Sequence, residues 1–416
     1  MKNQLSIFAF LLVFFSFSQG LKAQYFTLPD TNFRNFLIKQ YPACFNGAGQ
    51  LDTACSAIIN ETTLEVFELN IYNLTGIQYF KNLTTLKCPA NKLTSLPALP
   101  SSLSYINCGN NQLTSLPALP ASLNFLNCSY NQLTSLPNLP ASLTVLLCFV
   151  NQLTSLPALP ASLTDLECYN NLLTSLPELP ASLIVLDCDN NQLISLPKLP
   201  VLLEQLSCST NQLDSLPALP GSLSIMDLFY NNLTSLPTLP ASLTQLYCWN
   251  NELTSLPALP DSLIYLTCDS NNILCLPTLN NNMQTLSALG NPLSCLPNLP
   301  TNPYFSSQIG NNNTSNTVCS TPCSSNTAVI APTPNYAAIT IIPNPSTGLV
   351  TIQTNFPFYT TSDLQVITMQ GKMIYHLSDA DLSPPALMDF SSLPKGLYIL
   401  QITTGELVIT GKLALE

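Results

Sequence analysis

The chain is poor in charge. Of its 416 residues only 8% are Asp, Glu, Lys or Arg, and the 11 basic residues face 22 acids. A formal charge of -11 without a basic stripe argues against a nucleic-acid partner, because phosphate backbones are held by clustered Lys and Arg. Histidine is almost missing: the one present is His376, beside Tyr375. No Ser-His-Asp or Cys-His arrangement can be assembled with it from the body of the chain, so nucleophile chemistry of those types is excluded. The 13 glycines form no phosphate-cradling loop, and Asp-rich calcium loops are absent. The expectation is a protein without cofactor or metal that is not an enzyme. A surface with so few charges must be built from Asn, Ser, Thr and Gln, a composition common outside the cytoplasm.

Long apolar runs are also absent, except at the start. Lys2 supplies a positive charge, Leu5 to Phe17 an apolar run, and Leu21-Lys22-Ala23 a small-residue cleavage site. These are the parts of a secretory signal, expected at residues 1–23, and the run is too short to span a bilayer. The mature chain is therefore expected to have no membrane span. It is expected to pass through the periplasm and be secreted or held at the cell surface.

What the chain has in abundance is repetition, which governs everything else. From Leu83 a 20-residue unit recurs, with coils starting at Leu83, Leu103, Leu123, Leu143, Leu163, Leu183, Leu203, Leu223, Leu243, Leu263 and, more loosely, Met283. Leu64-x-x-Phe67-x-Leu69 reads as a divergent first coil. Around Ile106 and Cys108 the apolar period is two, so each coil supplies one short strand with these side chains inward and Tyr105, Asn107 and Gly109 outward. Asn91, Asn111, Asn131 and their equivalents fall at the turn after the strand, where an amide side chain can satisfy backbone groups of its own and the next coil. In the return segment Leu-Pro-x-Leu-Pro, two prolines three apart forbid an α-helix and hold the chain extended. The pattern L-x-x-L-x-C-x-x-N-x-L-x-x-L-P-x-L-P resembles the leucine-rich repeats, most of all the short bacterial type of secreted effectors and surface proteins. The fold class implied is mainly β: a leucine-rich-repeat parallel β-solenoid over 83–302.

Fifteen cysteines in an exported chain raise the question of disulfides. Nine of them, Cys88, Cys108, Cys128, Cys148, Cys168, Cys188, Cys208, Cys248 and Cys268, share one inward register, in which Leu228 and Ala288 also occur. Interchange with Leu and Ala marks a position that wants a small apolar group, which a buried thiol supplies. A column with one sulfur per coil also lacks the three or four converging ligands of a metal centre. The other six flank the array, and the expected pairs are Cys44 with Cys55, Cys275 with Cys295, and Cys319 with Cys323.

The ends differ from the array. Residues 24–82 form an expected cap, since a solenoid's open core must be covered. Phe26-x-Leu28-Pro29-Asp30-x-x-Phe33-x-x-Phe36-Leu37 reads as a short amphipathic helix with Asp30 near its start, and is similar to the openings of leucine-rich surface proteins in Bacteroidetes. Residues 303–337, rich in Asn, Ser, Thr and Pro, read as a linker. From 338 to 416 short alternating strands are divided by Gly and Pro, as in a small β-sandwich. The Pro343-Asn344-Pro345 turn, the Gly371-Lys372 turn and the Leu393-x-x-Gly396-x-Tyr398 strand resemble, in that order, the C-terminal sorting domain of the type IX secretion system. That resemblance implies the secretion machinery as a partner.

Only the outward strand positions vary from coil to coil. Asp165, Glu167, Asp187 and Asp189 gather acids in two adjacent coils, while Phe229, Tyr230, Tyr247, Trp249 and Tyr265 make an aromatic patch. Exposed aromatics suit protein hot spots, and aromatic-plus-acid surfaces also suit sugars. The expectation is a non-enzymatic binding or adhesion module whose concave sheet meets a protein or glycan ligand through Asp165, Glu167, Asp187, Asp189, Phe229, Tyr247 and Trp249. The alternative is a structural spacer without a ligand.

Overall fold

The computed structural model describes residues 24–295, 299–309, 339–342, 344, 346–354, 362–368, 372–380, 386–404 and 407–415. The expected signal segment 1–23 and the pair Cys319 and Cys323 lie outside the described residues. The chain divides into two compact units, Met1–Leu193 and Ile194–Glu416.

In the first unit the cap begins with the antiparallel pair Tyr25–Phe26 and Leu51–Asp52, then the helix Thr31–Gln40. The Asp30 carboxylate accepts from Phe33 N at 2.8 Å, satisfying a helix N-terminal donor that has no partner inside the helix. Its second oxygen accepts from Tyr72 N at 2.7 Å and Asn73 N at 3.2 Å, so one buried side chain ties the helix to the segment leading into the array. Phe33 and Leu37, four apart on one helix face, are fully buried. Cys44 and Cys55 form a disulfide with Cα atoms 5.5 Å apart.

The repeats form a parallel β-solenoid of the leucine-rich-repeat type, with one three-residue strand per coil. In the first unit the strands are centred on Leu64, Leu86, Ile106, Leu126, Leu146, Leu166 and Leu186, and each pairs in parallel with its neighbour in strict register. In the second unit they are centred on Leu206, Met226, Leu246, Leu266 and Leu286. One further strand, Ser306–Gln308, pairs with Thr285–Ser287 and extends the sheet beyond residue 302. At the other end Leu64 pairs with Leu86, so Leu64 and Val66 are the inward residues of the first coil and Phe67 is exposed. The expected spacing Leu64-x-x-Phe67 is thus corrected to strand alternation, Thr-Leu-Glu-Val.

Each coil buries the same set, as in Leu103, Ile106, Cys108 and Leu113. Burying each such leucine or isoleucine contributes roughly 1.5–3 kcal/mol, an upper figure because unfolded chains are partly compact. The polar part of the core is the asparagine ladder. The Asn111 amide lies 3.0 Å from Cys88 O, 3.1 Å from Cys108 O and 3.2 Å from Gly109 O, while its oxygen accepts from Leu93 N at 3.0 Å. One side chain thus binds backbone of two coils. On the return side Ser122 Oγ reaches Leu103 O at 2.6 Å and Ser101 O at 3.0 Å, again in the previous coil. The residue before each ladder asparagine, from Ala90 to Ser270, is left-handed with φ between 50 and 54°.

Within the column, Cys88, Cys108, Cys128, Cys148, Cys168, Cys248 and Cys268 are free, buried thiols, and Cys188 and Cys208 are buried beside them. Cys275 and Cys295 are both disulfide-bonded. The C-terminal segment folds separately into two antiparallel sheets. One joins Ile339–Ile342, Leu349–Thr354 and Ala386–Asp389; the other orders Met373–Ala380, Ser362–Thr368, Gly396–Thr404 and Leu407–Leu415 side by side. Both contribute to one core, which includes Val350 and Ile352 from the first and Leu364, Val366, Leu400 and Ile402 from the second.

Two outcomes follow from this packing. Asn171 spans Cys148, Cys168, Tyr169 and Leu153 in the same way, so Asn171→Ala strands backbone groups of two coils. The expected cost is roughly 2–4 kcal/mol in denaturant unfolding, and a change under about 1 kcal/mol would show that water replaces the amide. Burial pushes the Cys108 thiol up to about 12 and Cys128 well above its ordinary value. Because only thiolate reacts, alkylation at pH about 8 should leave the column unmodified until the chain is unfolded. Rapid labelling of native protein would contradict sealed coils.

Candidate ligand-binding face

Strand alternation turns the residues flanking each buried Leu to the open face, and register places residues 20 apart side by side about 4.8 Å from one another. Large rings in successive coils therefore stack. In the second unit Phe229 and Trp249 lie with ring centroids 4.5 Å apart and planes 10° from parallel. Tyr230, half exposed on the left-handed turn, sets its ring against Trp249 at 4.7 Å and 69°. Tyr247 is not in this stack. It stands opposite Asp227, and its hydroxyl donates to Gln245 Oε1 at 3.0 Å. Tyr265 lies one strand further, with its hydroxyl 3.2 Å from Gln284 Oε1.

The first unit holds a matching cluster that sequence reading missed. Phe149 and Tyr169 stack at 4.3 Å and 8°, and Tyr130 meets Phe149 edge-on at 5.4 Å and 84°. Tyr105 and Phe125 form another stack, at 4.2 Å and 3°. The signal was available: Phe149 and Tyr169 occupy the same outward column as Phe229 and Trp249, and Tyr130 the same turn position as Tyr230. The 20-residue register converts such spacing into contact.

The acids lie beside that cluster. Glu167 and Asp187 are register partners on adjacent strands, and Asp165 is two residues from Glu167 on the same face. Asp187 accepts from Asp189 N at 3.1 Å. Asp165 Oδ1 is buried and has no hydrogen-bond partner. Burial raises the Asp165 carboxyl above its ordinary value. It does the same to Glu167, with the Asp165 and Asp187 charges adding to the shift. Among the described residues no group of three or more His, Cys, Asp and Glu is placed to hold a metal ion.

A parallel solenoid with one variable face and an export-type β domain defines the class: a secreted repeat protein built for interaction. Comparison with known proteins agrees. Residues 340–416 match the family described as the secretion system C-terminal sorting domain. The chain is 36% identical to YopM from Yersinia enterocolitica WA-314 over 60% of this chain and 59% of that one, with a TM-score of 0.52. It is also 31% identical to YopM of Yersinia pestis, a leucine-rich effector protein, over 67% of this chain and 92% of that one, with a TM-score of 0.49. No curated protein matches the chain. The chain belongs to the leucine-rich-repeat proteins. Its sorting domain marks it for type IX export to the cell surface or beyond, and no described helix is long and apolar enough to cross a membrane.

The raised carboxyls carry a sign. A folded acid whose affinity for its proton exceeds that of the unfolded chain loses stability as pH rises through the interval between the two values. Glu167→Gln should therefore raise the denaturation midpoint at pH 7, and the gain should vanish below about pH 4, where the native side chain is itself protonated. A lower midpoint at pH 7 would reveal a compensating cation.

Proposed function

We propose that the chain is an exported, non-enzymatic binding module whose outward strand face holds a protein ligand. The observation that carries this reading is the Phe229–Trp249 stack with Tyr230 against its edge, on a face whose opposite side is nearly invariant. Stacked rings expose large apolar area at little cost in side-chain entropy, which is why Trp and Tyr dominate interface hot spots. Tyr247 and the acids Asp165, Glu167, Asp187 and Asp189 extend the binding surface with polar groups. A spacer needs no such variation, since coils of identical outer face stack equally well.

The test is binding of the 24–337 fragment to cell-surface proteins and, in parallel, to a glycan array. Phe229→Ala with Trp249→Ala should weaken capture of the protein ligand about 30-fold or more, the scale of a hot spot of about 2 kcal/mol, with unchanged circular dichroism. Undiminished capture by the double variant would place the site elsewhere. Binding to the glycan array alone would replace a protein ligand by a sugar, and binding to neither would leave the spacer.

A further inference from the structure

The aromatic stacks of the first unit differ in what accompanies them. On Tyr105–Phe125 the chain supplies its own cation: Lys87 Nζ lies 5.9 Å from the Tyr105 ring centroid and 2.8 Å from Glu65 Oε1. One ammonium is thus shared between a ring face and a carboxylate on neighbouring strands. The Phe149–Tyr169 stack has the same ingredients without the cation. Glu167 lies two residues before Tyr169, with Asp187 opposite it, and the charges of both are felt at the Tyr169 hydroxyl, which burial first of all pushes up to about 12. Phe149 covers one face of the Tyr169 ring, and the other is turned toward the next coil, where Asp189 holds that column. Past Lys87 no outward strand position carries Lys or Arg, and the ion pairs among the described residues are Lys87–Glu65 and His376–Asp363.

Like charges placed opposite one another on adjacent strands destabilise a sheet. Glu167 and Asp187 are such a pair, with Asp165 beside them and half-buried. A bound cation removes that cost and finds a ring face already prepared. Arginine fits better than lysine, because its planar guanidinium stacks on an aromatic ring while its edge donates to carboxylates.

We propose that the face formed by Tyr169, Glu167, Asp165 and Asp187 receives an arginine-bearing segment of the protein ligand, with a guanidinium on the Tyr169 ring and its donors on the Glu167 and Asp187 carboxylates. This rests on the binding reading above and assigns the partner's chemistry at one part of the same face.

The test uses the full chain and three labelled octapeptides, alternating glycine with arginine, lysine or glutamate, followed by fluorescence anisotropy at about 150 mM salt. The arginine peptide should bind, severalfold tighter than the lysine peptide, and the glutamate peptide should not. Asp165→Asn with Glu167→Gln, and separately Tyr169→Ala, should each weaken arginine-peptide binding about tenfold. Glu178→Gln with Asp214→Asn removes the same charge away from the strand face and should change nothing. Equal weakening by that control would reduce the effect to net charge and overturn the proposal, as would equal binding of the lysine peptide. Loss of the arginine peptide in the Phe229→Ala, Trp249→Ala variant would move its site to the other stack and also overturn it. If ligand capture fails only in that variant and never in the acid variant, the binding reading stands and the arginine assignment falls.

Discussion

The structure depends on one side-chain amide per coil. After each strand the backbone turns sharply through a left-handed residue, leaving carbonyls that point inward where no strand partner can reach them. The ladder asparagine answers them from inside, and the carbonyls it meets belong to two coils, as with Asn131 and its contacts to Cys108 O, Cys128 O and Ser129 O. An amide has a fixed reach, so coils joined in this way are held to one length. Constant coil length keeps the strands in register, and register makes residues 20 apart neighbours. The aromatic stacks, the thiol column and the opposed acids are all consequences of that single geometric requirement.

The same constraint separates two kinds of surface. Inward positions meet the coils before and after at a fixed distance, so their volume is set: Leu at most of them and a small group at the end of the strand. Cysteine meets the last requirement, and burial that lifts its thiol also denies it the thiolate needed for oxidation or exchange. An exported chain thereby carries free thiols safely, while the disulfide-bonded cysteines stand outside the column, Cys44 and Cys55 in the cap and Cys275 and Cys295 late in the array. Outward positions meet only solvent and their lateral neighbours. They exchange rings, acids and polar groups without disturbing the coil, and this freedom lets a repeat scaffold acquire a binding surface.

The C-terminal domain obeys a different logic. Its closing turn is held by contacts distant in sequence: Asn344 Oδ1 accepts from Ala414 N at 2.8 Å, and Phe390 N donates to Gly348 O at 2.7 Å. Gly348 has φ +126°, and a Cβ there would lie 2.4 Å from Ser391 Cα, so only glycine permits the approach. The turn residues of the export signature are thus structural closures of a small two-sheet core.

The sequence by itself determined the solenoid, its strand positions, the asparagine ladder, the helix capped by Asp30 and the export domain. All are set by local period, turn chemistry or a fixed repeat, which need no knowledge of distant contacts. It also identified Phe229, Trp249 and the acidic coils as candidates, because outward columns can be listed once the period is known. It misplaced the first coil by reading Phe67 inward, since a single divergent unit lacks the neighbours that fix its register. Tertiary structure alone decided which listed residues touch. Tyr247 joins Asp227 and Gln245 instead of the Trp249 stack, Tyr130 closes a second aromatic cluster, and Lys87 occupies the first stack. Such choices turn on ring orientation, on left-handed turns that aim Tyr130 and Tyr230 at the next coil, and on how deeply Asp165 is buried, and a one-dimensional pattern encodes none of these.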